Sequence, residues 1–467
     1  MENNLTFADL LDNISNQIDQ KGLSSGLISF CIKLPDLDLL DIYSSLFDKY
    51  NFSVFWEENP KASLIAFDKC KSLEFSGPKK FEIAKKFNDD IFKNLVNLNI
   101  CSNTNASPKI FYFFSFADNC LNKNTTNLVP SIEAVLPRLL ITNKGNNLSL
   151  RMNAAINNKV SLRENLDEFW SIRKTIIRQI NKKYTPNRSG LKMHDFEKSF
   201  NASYKNLKHN ISNGIELIND GVLEKVVLSS KLIFNYRGVF NLINILKKLR
   251  INQKNTCRYV WHRNSQDITF GASPEKLFTL NENIITLEAI AGTSKSNINK
   301  IKLLNSEKNL REHEFVINYL INTLKFLKIK NIYKDKLQVI SFGDIAHLCT
   351  SVTADIDYLC PFQLLNSLHP SPAVCGYPKD EALNCINIIE SFDRGNYASP
   401  IGWVDHNGNA DFRVALRGGR IIQNQIELIA GSGLVKGSVC EEEIDEIKLK
   451  LKSLAKEIFY QDSLNNL

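Results

Sequence analysis

The sequence predicts an α+β fold in which antiparallel β-sheets form a sandwich flanked by helices. Short apolar runs such as LISFCIKL and KIFYFFSF, rich in β-branched and aromatic residues, are separated by polar, Asn-rich connections and read as strands. Two stretches with apolar residues every three or four positions, LDEFWSIRKTIIRQINKKY and DFEKSFNASYKNLKHNISNGIELIND, read as helices. The last third, ESFDRGNYASPIGWVDHNGNADFRVALRGGRIIQNQIELIAGSGLVKGS, is a run of antiparallel strands with HNGN as its clearest turn.

Residues 1 to about 160 are strands with a few helices and contain no motif that carries chemistry. The helical stretch covers about 161 to 218. GVLEKVVLSSKL then reads as a buried strand, with Val222, Leu223, Val226, Val227 and Leu228 as core and Lys225 in its middle. TCRYVWHR, DITFGASPEKLFTL and NENIITLEAIAGT follow as strands, with NEN as a hairpin connection. Helical spacing of Ile317, Leu320, Ile321, Leu324 and Leu327 predicts a helix over 306–328. Ile447, Leu451, Leu454 and Ile458 mark the buried stripe of a final helix. No repeat or linker interrupts the chain from about 200 onward. The expected division is 1–200 and 201–467, the latter one large α+β unit.

A chain of 467 residues, 43% of them apolar, can bury a large core. The net charge of +8 is spread along the chain, which leaves no basic stripe for nucleic acid and favours a small anionic ligand. Ten cysteines without a CxxC pair or a signal peptide indicate neither a zinc ribbon nor a disulfide framework. They read as reduced thiols of a cytoplasmic protein. No apolar run reaches the roughly eighteen residues of a membrane span.

Several charged residues stand out. Lys225 places an ammonium among core neighbours, where a snorkelling side chain is the ordinary reading. Glu275 in GASPEKL occupies a turn between strands, and Glu312 lies on a helix, both positions where carboxylates are usually solvated. Glu441, Glu442 and Glu443 open the last helix, where the macrodipole favours acids. Glu443 and Glu446 share a helix face, and Glu312 on a second helix could meet them. Convergent carboxylates without His or Cys suit Mg2+ rather than zinc. IAGSGLVKGS and EAIAGTSKS place small residues at strand ends where backbone N–H groups can approach an anion. Arg417, read as mid-strand, and Tyr397 could clamp a carboxylate and donate a hydroxyl.

Taken in order, LEKVVLSSK, GASPEKL, EAIAGTSKS, EKNLREHEF, HLCTSV, LHPSPAVCGYP, FDRGNYASPIGW, FRVALRGGRI, IAGSGLVKGS and EEEIDEIKLKL resemble the chorismate-utilising enzymes. That family includes isochorismate, salicylate, anthranilate and aminodeoxychorismate synthases. The resemblance covers roughly 200–460 and implies that residues 1–200 are a divergent N-terminal part of the same chorismate-binding fold. It implies Glu312 and Glu446 as direct ligands of a Mg2+ holding the ring carboxylate of chorismate, with Glu443 acting through water. Gly431 and Gly433 are implied as backbone donors to that carboxylate. Arg417 and Tyr397 are implied at the enolpyruvyl carboxylate, and Gly292, Thr293, His347 and Lys450 in the substrate pocket. Lys225 matches the base that activates water for attack at ring C2, and Glu275 the acid that protonates the departing C4 hydroxyl.

Those roles agree with the chemistry. A lysine amine serves as a base at neutral pH only where burial and neighbouring positive charge favour its neutral form. A carboxyl in a partly apolar pocket can stay protonated and act as an acid. Ammonia-using members carry glutamine at the place of Lys225, so the lysine favours water as nucleophile and no amidotransferase subunit. Ala291 stands where aminodeoxychorismate synthases often carry a nucleophilic lysine. Asn309, in place of an acid, resembles the menaquinone-type isochorismate synthases. The expectation is therefore a cytoplasmic isochorismate synthase, a monomer by analogy with relatives lacking an amidotransferase partner, serving menaquinone or siderophore synthesis. Salicylate synthase and a non-catalytic subunit of the family are the alternatives.

Overall fold

The computed structural model describes residues 6–98, 106–118, 129–178, 193–236, 240–295, 300–356 and 359–459. The CSNTN part of one polar connection and the end of the first helical stretch, after residue 178, lie outside them.

Among the described residues, twenty strands join one hydrogen-bonded network. Only Gly26–Lys33 and Leu95–Leu98 pair in parallel. The N-terminal third is woven into the remainder: Ser53–Asn59 pairs with Cys257–Asn264, and Lys109–Phe114 with Pro400–Asp405.

Two hydrophobic clusters show how the sheet is covered. One takes in helix residues such as Leu10, Phe169, Leu246 and Ile447 together with strand residues. The other, including Val54, Trp56, Phe111, Phe113, Tyr259 and Trp261, contains no helical residue. Phe55 belongs to the first cluster and its neighbours Val54 and Trp56 to the second, as the two-residue strand period requires. One face therefore packs on helices and the other on sheet, as a sandwich does.

Three helices frame the part of the sheet that matters below: Met193–Asn219 packs on Lys225–Asn235, Cys440–Ile458 on Gln425–Val435, and Glu307–Phe326 on Ile284–Lys295. The predicted stripe Ile447, Leu451, Leu454 and Ile458 is buried. HNGN closes a hairpin between Pro400–Asp405 and Ala410–Val414. There Asp405 Oδ1 accepts from the Asn407 and Asn409 N–H groups, each at 2.9 Å.

Three local expectations are corrected. The lysine strand runs Lys225–Asn235, so Lys225 begins it. Residues before it finish the preceding helix: Gly221 N–H bonds Ile218 O, Val222 N–H bonds Leu217 O, and Gly221 is left-handed at φ 76°. Val222 is consequently 51% exposed and is not core. Arg417 is not mid-strand but lies between Ala410–Val414 and Gly418–Ile422, at φ 50°. Gly431 and Gly433 lie inside the strand Gln425–Val435, not at its end.

Candidate active site

Lys225–Asn235 runs antiparallel to Gln425–Val435, with Val227 opposite Gly433 and Ser229 opposite Gly431. Alternation puts Lys225, Val227, Ser229, Gly431 and Gly433 on one face. The glycines keep that face open. A Cβ at Gly433 would stand 2.5 Å from Glu312 Oε1 and 3.2 Å from Lys225 Cε.

Two helices present charge to this opening. On Glu307–Phe326, Lys308 and Glu312 are four residues apart and share a face. On Cys440–Ile458, Glu443, Glu446 and Lys450 are similarly spaced. A fully buried ammonium requires a partner. Lys225 is 0% exposed, and its Nζ donates to Glu312 Oε1 at 3.0 Å. Glu312 Oε2 accepts from Gly292 N–H at 3.1 Å. Gly292 has φ 75° and sits at an irregularity in the pairing of Ile284–Lys295 with Ile345–Asp355. The next N–H, of Thr293, bonds Asn309 Oδ1 at 3.3 Å.

The other carboxylates are partnered likewise. Glu443 Oε1 accepts from Lys308 Nζ and its Oε2 from Ser432 Oγ, both at 2.5 Å. Glu446 Oε1 accepts from Lys450 Nζ at 2.7 Å, and the same ammonium donates to Gly431 O at 3.0 Å. Burial, and then the charge of Glu446, push the Glu443 carboxyl above its ordinary value. Burial pushes Glu446 the same way, but Lys450 and Lys308 outweigh it and hold Glu446 low. Burial works against the Lys308 ammonium, yet Glu443, Glu446 and Glu312 together hold it above the usual lysine value.

These oxygens are the donor set a hard cation takes. The residues thus fit Mg2+ in chemistry. Among the described residues, no three acidic, His or Cys side chains already converge on one point. Ammonium groups hold the carboxylates instead.

Beside the carboxylates lies a cavity of about 80 Å3. Glu275, Gly292, Thr293, Glu312 and His347 line one part of it, and Tyr397, Arg417, Gly431, Gly433 and Lys450 another. Ten of the thirteen site residues expected from sequence therefore meet at one cavity. Lys225 reaches its edge through Glu312, and Glu446 through Lys450. Glu443 stands back, held by Lys308 and Ser432.

The cavity's polar groups orient one another. Arg417 Nη2 lies 2.8 Å from His347 Nε2, and His347 Nδ1 3.2 Å from Thr293 Oγ1. A guanidinium only donates, so Nε2 accepts and the proton resides on Nδ1. Burial, then Arg417 and Lys450, push the imidazole well below its ordinary value and keep it neutral. Burial draws Arg417 down to about 10, so it stays charged at neutral pH. Its Nη1 is buried without a partner. Burial pushes the Tyr397 phenol up to about 12, so it keeps its proton. Glu275, 7% exposed, is pushed up to about 7 by burial, against the opposing charges of Lys225 and Lys450.

Sequence reasoning missed three supports. Lys308 carried a usable signal, its four-residue spacing from Glu312. Ser432, between the two glycines, carried none, since its partner is distant in sequence. Glu390 and Arg394 form a buried pair: Glu390 Oε1 accepts from Ser229 N–H and Oγ at 2.8 and 2.7 Å, while Arg394 donates to Val227 O at 2.7 Å and Val374 O at 2.8 Å. Together they lock the lysine strand to the segment bearing Tyr397.

Residues 12–459 match the family model described as chorismate binding enzyme, and the chain belongs to that family. Its relatives include the isochorismate synthase MenF of Bacillus subtilis, 33% identical over 240 residues that make up 50% of each chain. The vibriobactin-specific isochorismate synthase of Vibrio cholerae is 28% identical over 257 residues, 53% of this chain and 65% of that one. The matched segment thus spans about half to two thirds of these relatives. The structure of the menaquinone-specific isochorismate synthase MenF of Escherichia coli shares the fold over 96% of this chain and 98% of that one, with a TM-score of 0.75 at 20% identity.

Proposed function

We propose that this protein is an isochorismate synthase, adding water at C2 of chorismate and expelling the C4 hydroxyl. One observation carries the reading: the fully buried Lys225 is paired with Glu312, and Glu312 lines one cavity together with the buried carboxyl of Glu275. Isochorismate synthases of both menaquinone and siderophore type are among the relatives.

In this reading the Lys225 amine takes a proton from water as its oxygen bonds to C2. The ring double bonds shift, and the C4–O bond breaks as Glu275 gives its proton to the departing hydroxyl. A carboxyl near pH 7 is suited to that task. Arg417, with an Nη1 free to donate, and Tyr397, a protonated phenol, bind the enolpyruvyl carboxylate. Neutral His347 holds the Arg417 fork in place. Gly431 and Gly433 leave room for the ring carboxylate to reach their backbone N–H groups. Glu312 and Glu446, with Glu443 near them, would hold Mg2+, which when bound would supply a positive charge for that carboxylate. Glu275 must stay protonated until departure, and the apolar wall formed by Ile290, Ala291 and Leu454 helps by excluding water.

Incubating the purified protein with chorismate and Mg2+ tests this reading. The expected product is an isomer that keeps its enolpyruvyl group. Salicylate with free pyruvate would make the protein a salicylate synthase, and no turnover by folded protein would favour a non-catalytic subunit.

A further inference from the structure

We propose that Lys308 sets how tightly this site holds a divalent cation, by competing with the ion for Glu443; the inference rests on the magnesium reading above. Three ammonium groups face the three carboxylates, and they are not equivalent. The Lys225 side chain is 0% exposed and enclosed with Glu312. Lys450 is 17% exposed and tied to the backbone at Gly431 O as well as to Glu446. Lys308 is 27% exposed, the most accessible of the three. Its stem starts one helical turn before Glu312, so its head can leave Glu443 for water without any movement of the backbone.

Glu443 has both oxygens occupied, by Lys308 and by Ser432, and is 2% exposed at its side chain. A cation arriving at Glu312 and Glu446 therefore meets a third carboxylate whose charge Lys308 already balances. When Lys308 swings outward, that charge becomes available to the ion. No proton moves: one cation replaces another beside a fixed carboxylate. The same pairing explains how Glu312, Glu443 and Glu446 face one site in a stable protein before any metal arrives, each beside its own ammonium.

The test is titration calorimetry of the purified full chain with Mg2+, with and without chorismate, on wild type and Lys308→Met, which keeps the apolar stem. The variant is expected to bind Mg2+ at least tenfold more tightly than wild type. Its metal-free melting temperature should fall and its rise on adding Mg2+ should exceed that of wild type. Lys308→Arg, retaining the charge, should restore wild-type affinity. Unchanged or weaker Mg2+ binding by Lys308→Met overturns the inference, as does a lower melting temperature without tighter binding, the result of a merely structural role. Should Lys308→Met not melt cooperatively, Lys308→Gln is read by the same criteria. Wild type that fails to bind Mg2+ even with chorismate overturns the magnesium reading itself, and the competition with it.

Discussion

Lys225 Nζ lies 3.0 Å from Glu312 Oε1, joining the proposed base to a proposed metal ligand in one buried ion pair. The pair gives the lysine the partner its burial demands, and it ties two proposed functions together: whatever takes Glu312 also changes the surroundings of Lys225. Lys225→Gln should abolish hydration of chorismate while leaving Mg2+-dependent chorismate binding within severalfold of wild type. Rapid-quench product analysis and calorimetry check the two halves separately, and near-normal hydration would remove Lys225 from the base role.

At Gly433 a small change should reach the candidate site directly. A methyl there would sit 2.5 Å from Glu312 Oε1, too close for any unstrained contact. Gly433→Ala should displace Glu312, cutting turnover at least 100-fold and lowering stability by about 1–3 kcal/mol. Denaturant unfolding beside initial rates measures both, and wild-type turnover would show that the carboxylate is not confined there.

Glu275 sets a pH dependence with a definite sign. Its folded value of about 7 exceeds the ordinary 4.5, so the native state binds the extra proton. Activity should fall as pH rises through about 7, where the acid form is lost. By the same linkage, Glu275 disfavours the folded state progressively as pH rises from about 4.5 to 7. Glu275→Gln should remove the activity and also this loss, gaining on wild type in melting temperature between pH 5 and 8. A constant difference across that range would contradict the assignment.

Arg417→Lys keeps a positive charge but loses the planar fork and its contact with His347. The KM for chorismate should rise roughly 10- to 100-fold, the span expected for losing charge-assisted hydrogen bonds. Steady-state kinetics decides, and an unchanged KM would place the enolpyruvyl carboxylate elsewhere.

The sequence carried more of the site than of its wiring. Lys225 was conspicuous because its neighbours Val226, Val227 and Leu228 are core, and all three are buried. Glu275 sits at the junction between two strands, where GASPEKL was read as a turn. The boundary at Lys225 was harder, because the Schellman-type bonds of Gly221 and Val222 depend on where the preceding helix ends. Arg417 was misplaced on a strand since LRGGR reads as extended, whereas its positive φ comes from the tertiary setting. Partnerships such as Lys225 with Glu312, 87 residues apart, have no local signature at all.

The most direct test of the central claim is the reaction of chorismate with Mg2+ and wild-type protein in oxygen-18 water. The account predicts isochorismate carrying one oxygen-18 atom, on C2, with the enolpyruvyl group intact and no label in recovered pyruvate-containing fragments. Isochorismate without label would contradict water as the nucleophile, and salicylate labelled on its hydroxyl together with free pyruvate would contradict an isomerase that stops at isochorismate.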